Sequence, residues 1–283
     1  MSDPFPLVRR PPQTPGLPVL VSIPHYGTQP LPHIRPSDYR EAWFATFAYG
    51  FADTFVGDIY ADLHRQGATV LATPYSRLFV DVNRRRNDFE CGPQGVYSRR
   101  GVVRTHTRRE TPIFTRPLSL AELEARLQAY YDPYYRTLEQ LLGELRAAHG
   151  TVVLLDGHTG SPQRMGDYEV ILGTRHGTTC HPALAAAIAD VFAAHGFRVS
   201  HNVSGYAGGN IVRTYGQPRR RQVHAVQIEI NAALLMTTSR QEFIAQVSRG
   251  EIPAKAEAAL ARCRACVQAV VTTLPAALAA LSA

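Results

Sequence analysis

The sequence has no run of about 18 apolar residues, the length a helix needs to cross a bilayer. Its start, Met1-Ser2-Asp3-Pro4-Phe5-Pro6, lacks the basic-then-apolar pattern of a secretory signal. Together these absences predict a soluble, cytoplasmic protein with no membrane partner. Cysteine is scarce, and the pair Cys263-Arg264-Ala265-Cys266 stands without the second C-x-x-C that a structural zinc site requires. Nor does it have the aromatic or proline neighbours of a redox strand, so it reads as helix packing. There is no H-E-x-x-H, so any metal ligands must come from separate segments. Long-period repeats and low-complexity tracts are absent. Lysine is almost missing, with Lys255 the one example, so the formal net charge of +7 comes from arginine. Arginine is suited to forked recognition of carboxylate or phosphate, which points to an acidic ligand. The charge carries no interleaved aromatic pattern or nucleic-acid motif, which argues against nucleic acid as the partner.

What is present is a chain of 283 residues, 45% hydrophobic, enough for one large α/β core with embellishments. Residues 1–18 hold six prolines and read as an extended arm ahead of a single domain over 19–283. Val19-Leu20-Val21-Ser22-Ile23 looks like a buried strand. A helical pattern then closes on His and Gly and hands over to an apolar strand at His64 to Gly67, at His149-Gly150 and at His195-Gly196. Glycine past the last turn is a helix stop, and three such handovers predict an α/β fold with a largely parallel sheet. Ser119-Leu120-Ala121-Glu122 is a capping box announcing a long helix toward His149, with a kink at Pro133. A last strand over Val226 to Asn231 alternates Val226, Ile228 and Ile230 with Gln227, Glu229 and Asn231. An alanine-rich helix from Pro253 to about Thr273 packs on the sheet or on a partner subunit, which leaves a homo-oligomer open. The arginine-rich, aperiodic stretch 85–117 reads either as a solvated basic loop or as a lid over an acidic substrate.

In open α/β sheets ligands gather beyond the carboxyl ends of strands. His25 and His158 both stand there, after Val19–Ile23 and Val152–Leu155. A catalytic zinc takes three protein ligands and leaves one position open, so a carboxylate is wanted beside the two imidazoles. Asp53, Asp58, Asp81 and Asp156 are the candidates, and Asp81 and Asp156 could equally orient an imidazole from behind. Glu229 could instead be the outer face of an edge strand, and Arg84 one more member of the basic run.

Six segments, taken in order, carry a resemblance: Pro24-His25-Tyr26-Gly27-Thr28 with Leu31-Pro32; Tyr75-Ser76-Arg77-Leu78-Phe79-Val80-Asp81-Val82-Asn83-Arg84; Asp156-Gly157-His158; Leu172 to Thr178; Gly208 to Gly216; and Val226 to Asn231. Over roughly residues 19 to 240 the chain resembles the N-formylglutamate amidohydrolase family, a relative of the zinc carboxypeptidases and acylamino-acid deacylases. The resemblance implies a mixed, largely parallel twisted sheet of about eight strands between helices, with one zinc per chain. It implies His25, Asp53 and His158 as zinc ligands and Glu229 as the general base. Arg84, with Asn83 beside it, would hold the substrate carboxylate, and Arg213 would be a second anion-binding or oxyanion-stabilising group. The implied activity is release of an N-acyl group, formyl above all, from a small acidic amino acid such as glutamate, within amino-acid catabolism and histidine degradation. Two departures touch the pocket: Gly157-His158-Thr159 stands where the family usually has Cys-His-Ser or Ala-His-Ser, and Thr54-Phe55-Val56 where it has an aromatic-histidine pair. Two other functions remain as alternatives, a zinc carboxypeptidase-like peptidase for peptide or cell-wall fragments and a non-catalytic anion or nucleic-acid binding protein.

Overall fold

Nine short strands form in the computed structural model, which describes residues 7–46 and 51–281: β1 (Val8–Arg10), β2 (Val19–Ile23), β3 (Thr69–Ala72), β4 (Glu90–Gly92), β5 (Gly95–Tyr97), β6 (Val152–Gly160), β7 (Val170–Gly173), β8 (Val199–His201) and β9 (Val223–Asn231). Seven of them build one sheet in the order β1-β3-β2-β6-β9-β7-β8, and β4 and β5 pair as a separate hairpin. Strands β3, β2, β6 and β9 run parallel, β1 lies antiparallel to β3 and β7 antiparallel to β9, and β8 is parallel to β7. The sheet is thus mixed and largely parallel, with seven strands among the described residues where about eight were expected. Within the proline-rich arm, β1 pairs along the edge of β3.

The helices used below are α1 (Val56–Tyr60), α2 (Leu120–Arg126), α3 (Asp132–His149), α4 (Pro182–Ala194), α5 (Asn210–Tyr215), α6 (Arg240–Ser248) and α7 (Glu257–Ala279). The handover glycines Gly67, Gly150 and Gly196 all have positive φ, the conformation that ends a helix at no steric cost. Ser119 caps α2 through a complete capping box with Glu122. Between α2 and α3, Leu127–Tyr131 loosens into one π-wound turn, directly before Asp132-Pro133. Pro133 has no N–H to give the preceding turn, and the wider winding absorbs the missing bond without breaking the rod.

Strand alternation splits the apolar residues between two cores, one on each face of the sheet. Val19, Val21, Val153, Leu155, Val226, Ile228 and Ile230 face a core shared with α1, α4 and α7. Leu20, Val152, Leu154, Val223 and Ala225 face the other, covered by α2, α3 and α5. Continuing along β6 and β9 with the parity of this second face leads to Asp156 and His158, then to Gln227 and Glu229. The apolar pattern stops and polar residues begin on that face, at the carboxyl ends of the central strands. The C-x-x-C pair lies in α7, with Cys263 and Cys266 both buried in the first core as free thiols.

Candidate functional site

Two parallel central strands set the floor of the site. In β6 and β9, Asp156 is paired with Gln227 and His158 with Glu229, while Ser22 of β2 pairs with Asp156. Five polar side chains therefore sit side by side over three adjacent strands that are buried on both faces. Such a strand end cannot slip, because a shift of one residue would turn Val226 and Ile228 into the cleft. Strand β9 lies between β6 and β7, so Glu229 is not on an edge strand.

His25 follows β2, and the backbone N–H of Asp53 donates to the His25 carbonyl (3.1 Å), which brings the Asp53 carboxylate under the imidazole. Asp53 Oδ2 lies 2.8 Å from His158 Nδ1 and 3.4 Å from His25 Nδ1. The other nitrogen of each ring faces a second carboxylate: His25 Nε2 is 2.8 Å from Asp81 Oδ1, and His158 Nε2 is 3.1 Å from Asp156 Oδ2. Asp81 and Asp156, two of the four carboxylates open at the sequence level, thus stand behind the imidazoles rather than between them. Asp58 stands outside the group, its carboxylate paired with Lys255 (2.7 Å).

His25, Asp53 and His158 present ligand atoms that all lie within 4.8 Å of one another. Several observations fit them to a cation. Both Nε2 atoms have a carboxylate acceptor, which leaves the Nδ1 lone pairs for the centre of the group, the arrangement typical of metal-ligating histidines. A positive group already addresses the same atoms: Arg77 Nη1 donates to His25 Nδ1 (2.8 Å) and to Asp53 Oδ1 (3.0 Å). Two nitrogens and one oxygen suit zinc.

Charge is tightly coupled here. Burial would raise the Asp53 carboxyl, but His25 and His158 outweigh it and hold the group below the ordinary carboxylate range. Asp81 behaves in the same way, with burial overcome by His25 and Arg77. For His158, burial favours the neutral ring, yet Asp156, Glu229 and the bonds to Asp156 and Asp53 raise it well above the usual imidazole value. Glu229 has no cationic partner in contact among the described residues. Burial pushes its carboxyl up to about 7, Asp53 adds to the rise and His158 opposes it, while Gln227 Nε2 donates to Oε1 (2.6 Å) and fixes its orientation.

The segment Asp81 to Arg84 crosses above this floor. Asn83 Nδ2 donates to Asp156 Oδ2 (3.0 Å), and Asn83 Oδ1 accepts from the Ile211 N–H (3.0 Å) at the start of α5. Two stacked tyrosines hold the segment from behind, Tyr131 bonding the Arg84 carbonyl (2.8 Å) and Tyr135 the Val82 carbonyl (2.9 Å). Tyr131 closes the π-wound turn, which fits the frequency of such turns at functional sites. Arg84 is left half-buried and free to reach the cleft, its Nε 3.8 Å from Asp81.

His25, Asp53, Asn83, Arg84, His158 and Glu229 line a cleft of about 700 Å³ whose walls also include Arg104, Arg108, Arg164, Arg175, Tyr206 and Arg240. His25, Asp53, Asn83, Arg84, His158 and Glu229 are brought together as the sequence suggested. Arg213 is not. Ile211, Val212 and Tyr215 of α5 turn into the second core, so position 213 falls on the solvent face, where Arg213 bonds Asn210 (2.7 Å) and does not line the cleft. Arg77 takes the inward position instead. The motif Tyr75 to Arg84 gives it no role at the level of sequence, and the signal that marks it is its four-residue spacing from Asp81, to which it lies 3.6 Å. Gln227 likewise reads from sequence only as the polar face of its strand. The departure at Gly157 has a local cause: a Cβ there would lie 2.8 Å from the ring of Tyr60, whose side chain fills that space.

Comparison with known proteins agrees with this picture. A family model described as N-formylglutamate amidohydrolase matches residues 17–236. The N-formylglutamate deformylase of Pseudomonas aeruginosa is 34% identical over 233 residues, covering 76% of this chain and 80% of its own. The enzyme of the same name from Pseudomonas putida is 31% identical over 233 residues, covering 78% and 82%. Among solved structures, N-formylglutamate amidohydrolase from Ralstonia eutropha JMP134 superposes with a TM-score of 0.79 over 96% of this chain and 97% of its own, at 23% identity. A gene product of Agrobacterium tumefaciens follows with a TM-score of 0.62 at 18% identity, covering 93% and 89%. These two likenesses speak for the fold.

Proposed function

The chain belongs to the N-formylglutamate amidohydrolase family, and from that membership we propose that it hydrolyses N-formylglutamate to formate and glutamate with one zinc held by His25, Asp53 and His158. The observation that carries the metal is the pairing of both Nε2 atoms with Asp81 and Asp156, which aims both Nδ1 atoms at Asp53. A zinc ion held there supplies a lowered pKa for a water and polarises the amide carbonyl.

The remaining chemistry belongs to the side chains. Water adds across the acyl C–N bond, the acyl carbon gains oxygen, the bond to nitrogen breaks and the nitrogen leaves as an amine. Glu229, across from His158 and raised toward neutrality, takes the water's proton at a carboxylate oxygen and delivers it to the leaving nitrogen. Arg77, which bonds His25 and Asp53 and so borders the metal group, would meet the negative charge that develops on the carbonyl oxygen. Arg84 receives a substrate carboxylate, and Asn83, whose amide is taken up by Asp156 and Ile211, keeps Arg84 in place.

The test is zinc content by elemental analysis on protein purified without a histidine tag, with release of glutamate from N-formylglutamate measured in the same sample. His25→Ala or His158→Ala should lose the metal. Glu229→Gln should keep it and lose turnover by about 10²- to 10⁴-fold. Arg84→Ala should lower kcat/KM by about a hundredfold with the metal retained, whereas Arg213→Ala should change it little. Near-normal turnover in Glu229→Gln would sink the mechanism.

A further inference from the structure

N-formylglutamate brings two carboxylates and no other charge, yet the cleft is lined by eight arginines against two carboxylates, Asp53 and Glu229. Arg77 and Arg84 have roles in the proposed chemistry, and Arg175 is tied to the Gly208 carbonyl (3.2 Å). Three more lie at the rim and come from unrelated parts of the chain: Arg108 from the basic loop, Arg164 from the short helix after β6, and Arg240 from α6. None of the three has a carboxylate within 4 Å among the described residues. Two of them have aromatic support, Arg164 over the ring of Tyr206 (5.3 Å) and Arg240 over Phe243 (5.6 Å).

Their placement is electrostatically unfavourable in the free protein. Burial together with Arg100, Arg164 and Arg77 pushes the Arg108 guanidinium below its ordinary range, and burial together with Arg108 does the same to Arg240. Arg240 is also the first residue of α6 after its Ser239 cap, the end of the helix where the peptide dipoles disfavour a cation. Three like charges converging on one opening, with no carboxylate in contact among the described residues and one of them at an unfavourable helix end, form a site whose repulsion an anion would relieve.

We infer that Arg108, Arg164 and Arg240 form a distal anion subsite, and that the preferred substrate is an N-acylated acidic amino acid carrying a third carboxylate beyond the two of N-formylglutamate. This rests on the amidohydrolase reading and narrows its substrate class. The extra carboxylate can belong to a chain continuing from the amino acid's side-chain carboxyl or to the acyl group, and the hydrolysis is the same in both cases.

The experiment compares each trianion with a dianion of similar size. N-formyl-γ-glutamylglutamate is set against N-formyl-γ-glutamylglutamine, and N-malonylglutamate against N-propanoylglutamate, in the wild type and in an Arg108→Gln/Arg240→Gln double variant. In at least one pair the trianion should have a kcat/KM about tenfold above its dianion, and the double variant should bring that ratio close to one. A ratio near one in both pairs for the wild type, or an unchanged ratio in the variant, overturns the subsite. Should no compound be hydrolysed, N-formylglutamate included, the amidohydrolase reading fails by itself. Calorimetric titration with γ-glutamylglutamate against γ-glutamylglutamine, in both proteins, still decides the rim: a preference for the former that vanishes in the variant upholds it, and equal binding rejects it.

Discussion

Glu229 is the residue where folding and chemistry oppose each other. It is buried beside Asp53, with a neutral amide from Gln227 as its hydrogen-bond donor and no cation in contact among the described residues. Burial raises its folded pKa to about 7, above the ordinary carboxylate value of 4.5. The protonated form therefore contributes stability that is fully present below about 4.5 and is lost as pH rises through 7. Glutamine does not titrate, so in metal-free protein Glu229→Gln should be the more stable at alkaline pH, by up to about 3 kcal/mol, with the gap closing toward pH 5. Urea unfolding of both proteins in chelator, at pH 5 and at pH 8.5, checks this. An equal gap at the two pH values would show that Glu229 is not charged against a cost in the folded state. The same scale explains which residues could be read from sequence. His25 and His158 were legible because each follows an apolar run that could only be a strand. Arg77 and Arg213 were not, because an arginine reaches far from its backbone, and which of two lands in a cleft depends on loop path and helix phase. The choice of Asp53 over Asp58 needed the bond between the Asp53 N–H and the His25 carbonyl, a contact between segments.

At the scale of elements, the strand-end chemistry depends on what lies beneath β6. Tyr60 of α1 is fully buried, and its ring fills the space above Gly157, directly before His158 in the chain. Gly157→Ala drives a methyl group into that ring, which should cost about 1–3 kcal/mol by overpacking and displace His158. Pairing it with Tyr60→Leu makes room, so the double variant should recover both stability and zinc retention relative to Gly157→Ala alone. Additive losses in the cycle would mean that the two positions do not share one space. The handover helices, the capping box at Ser119 and the alternation in β9 were legible because each is a local pattern. Element ends were less so: β9 begins at Val223 rather than Val226, and α7 continues through Pro275 to Ala279, held by its buried apolar face against the first core. The order of strands, which places β9 inside the sheet and makes Glu229 a cleft residue, is set by long-range pairing that no single segment encodes.

For the whole molecule, the governing quantity is the sign of the field at the cleft. The chain carries a net charge of +7, almost all of its cations are arginines, and several of these open onto the site. An acidic substrate approaching such an opening is drawn in over roughly a Debye length, about 10 Å at 0.1 M salt. Salt therefore acts on capture, while the bonds made and broken beside Glu229 lie in a buried pocket where screening is weak. For N-formylglutamate, kcat/KM should fall at least about fivefold between about 0.02 M and about 0.3 M sodium chloride, through KM, with kcat changing less than about twofold. A trianionic substrate should show the steeper slope if the rim arginines engage its extra carboxylate. Steady-state rates across the salt series, with zinc content verified at each point, separate this from metal loss, which would lower kcat. A flat kcat/KM would mean that the arginines act only in contact with bound substrate, and the long-range part of the argument would be wrong.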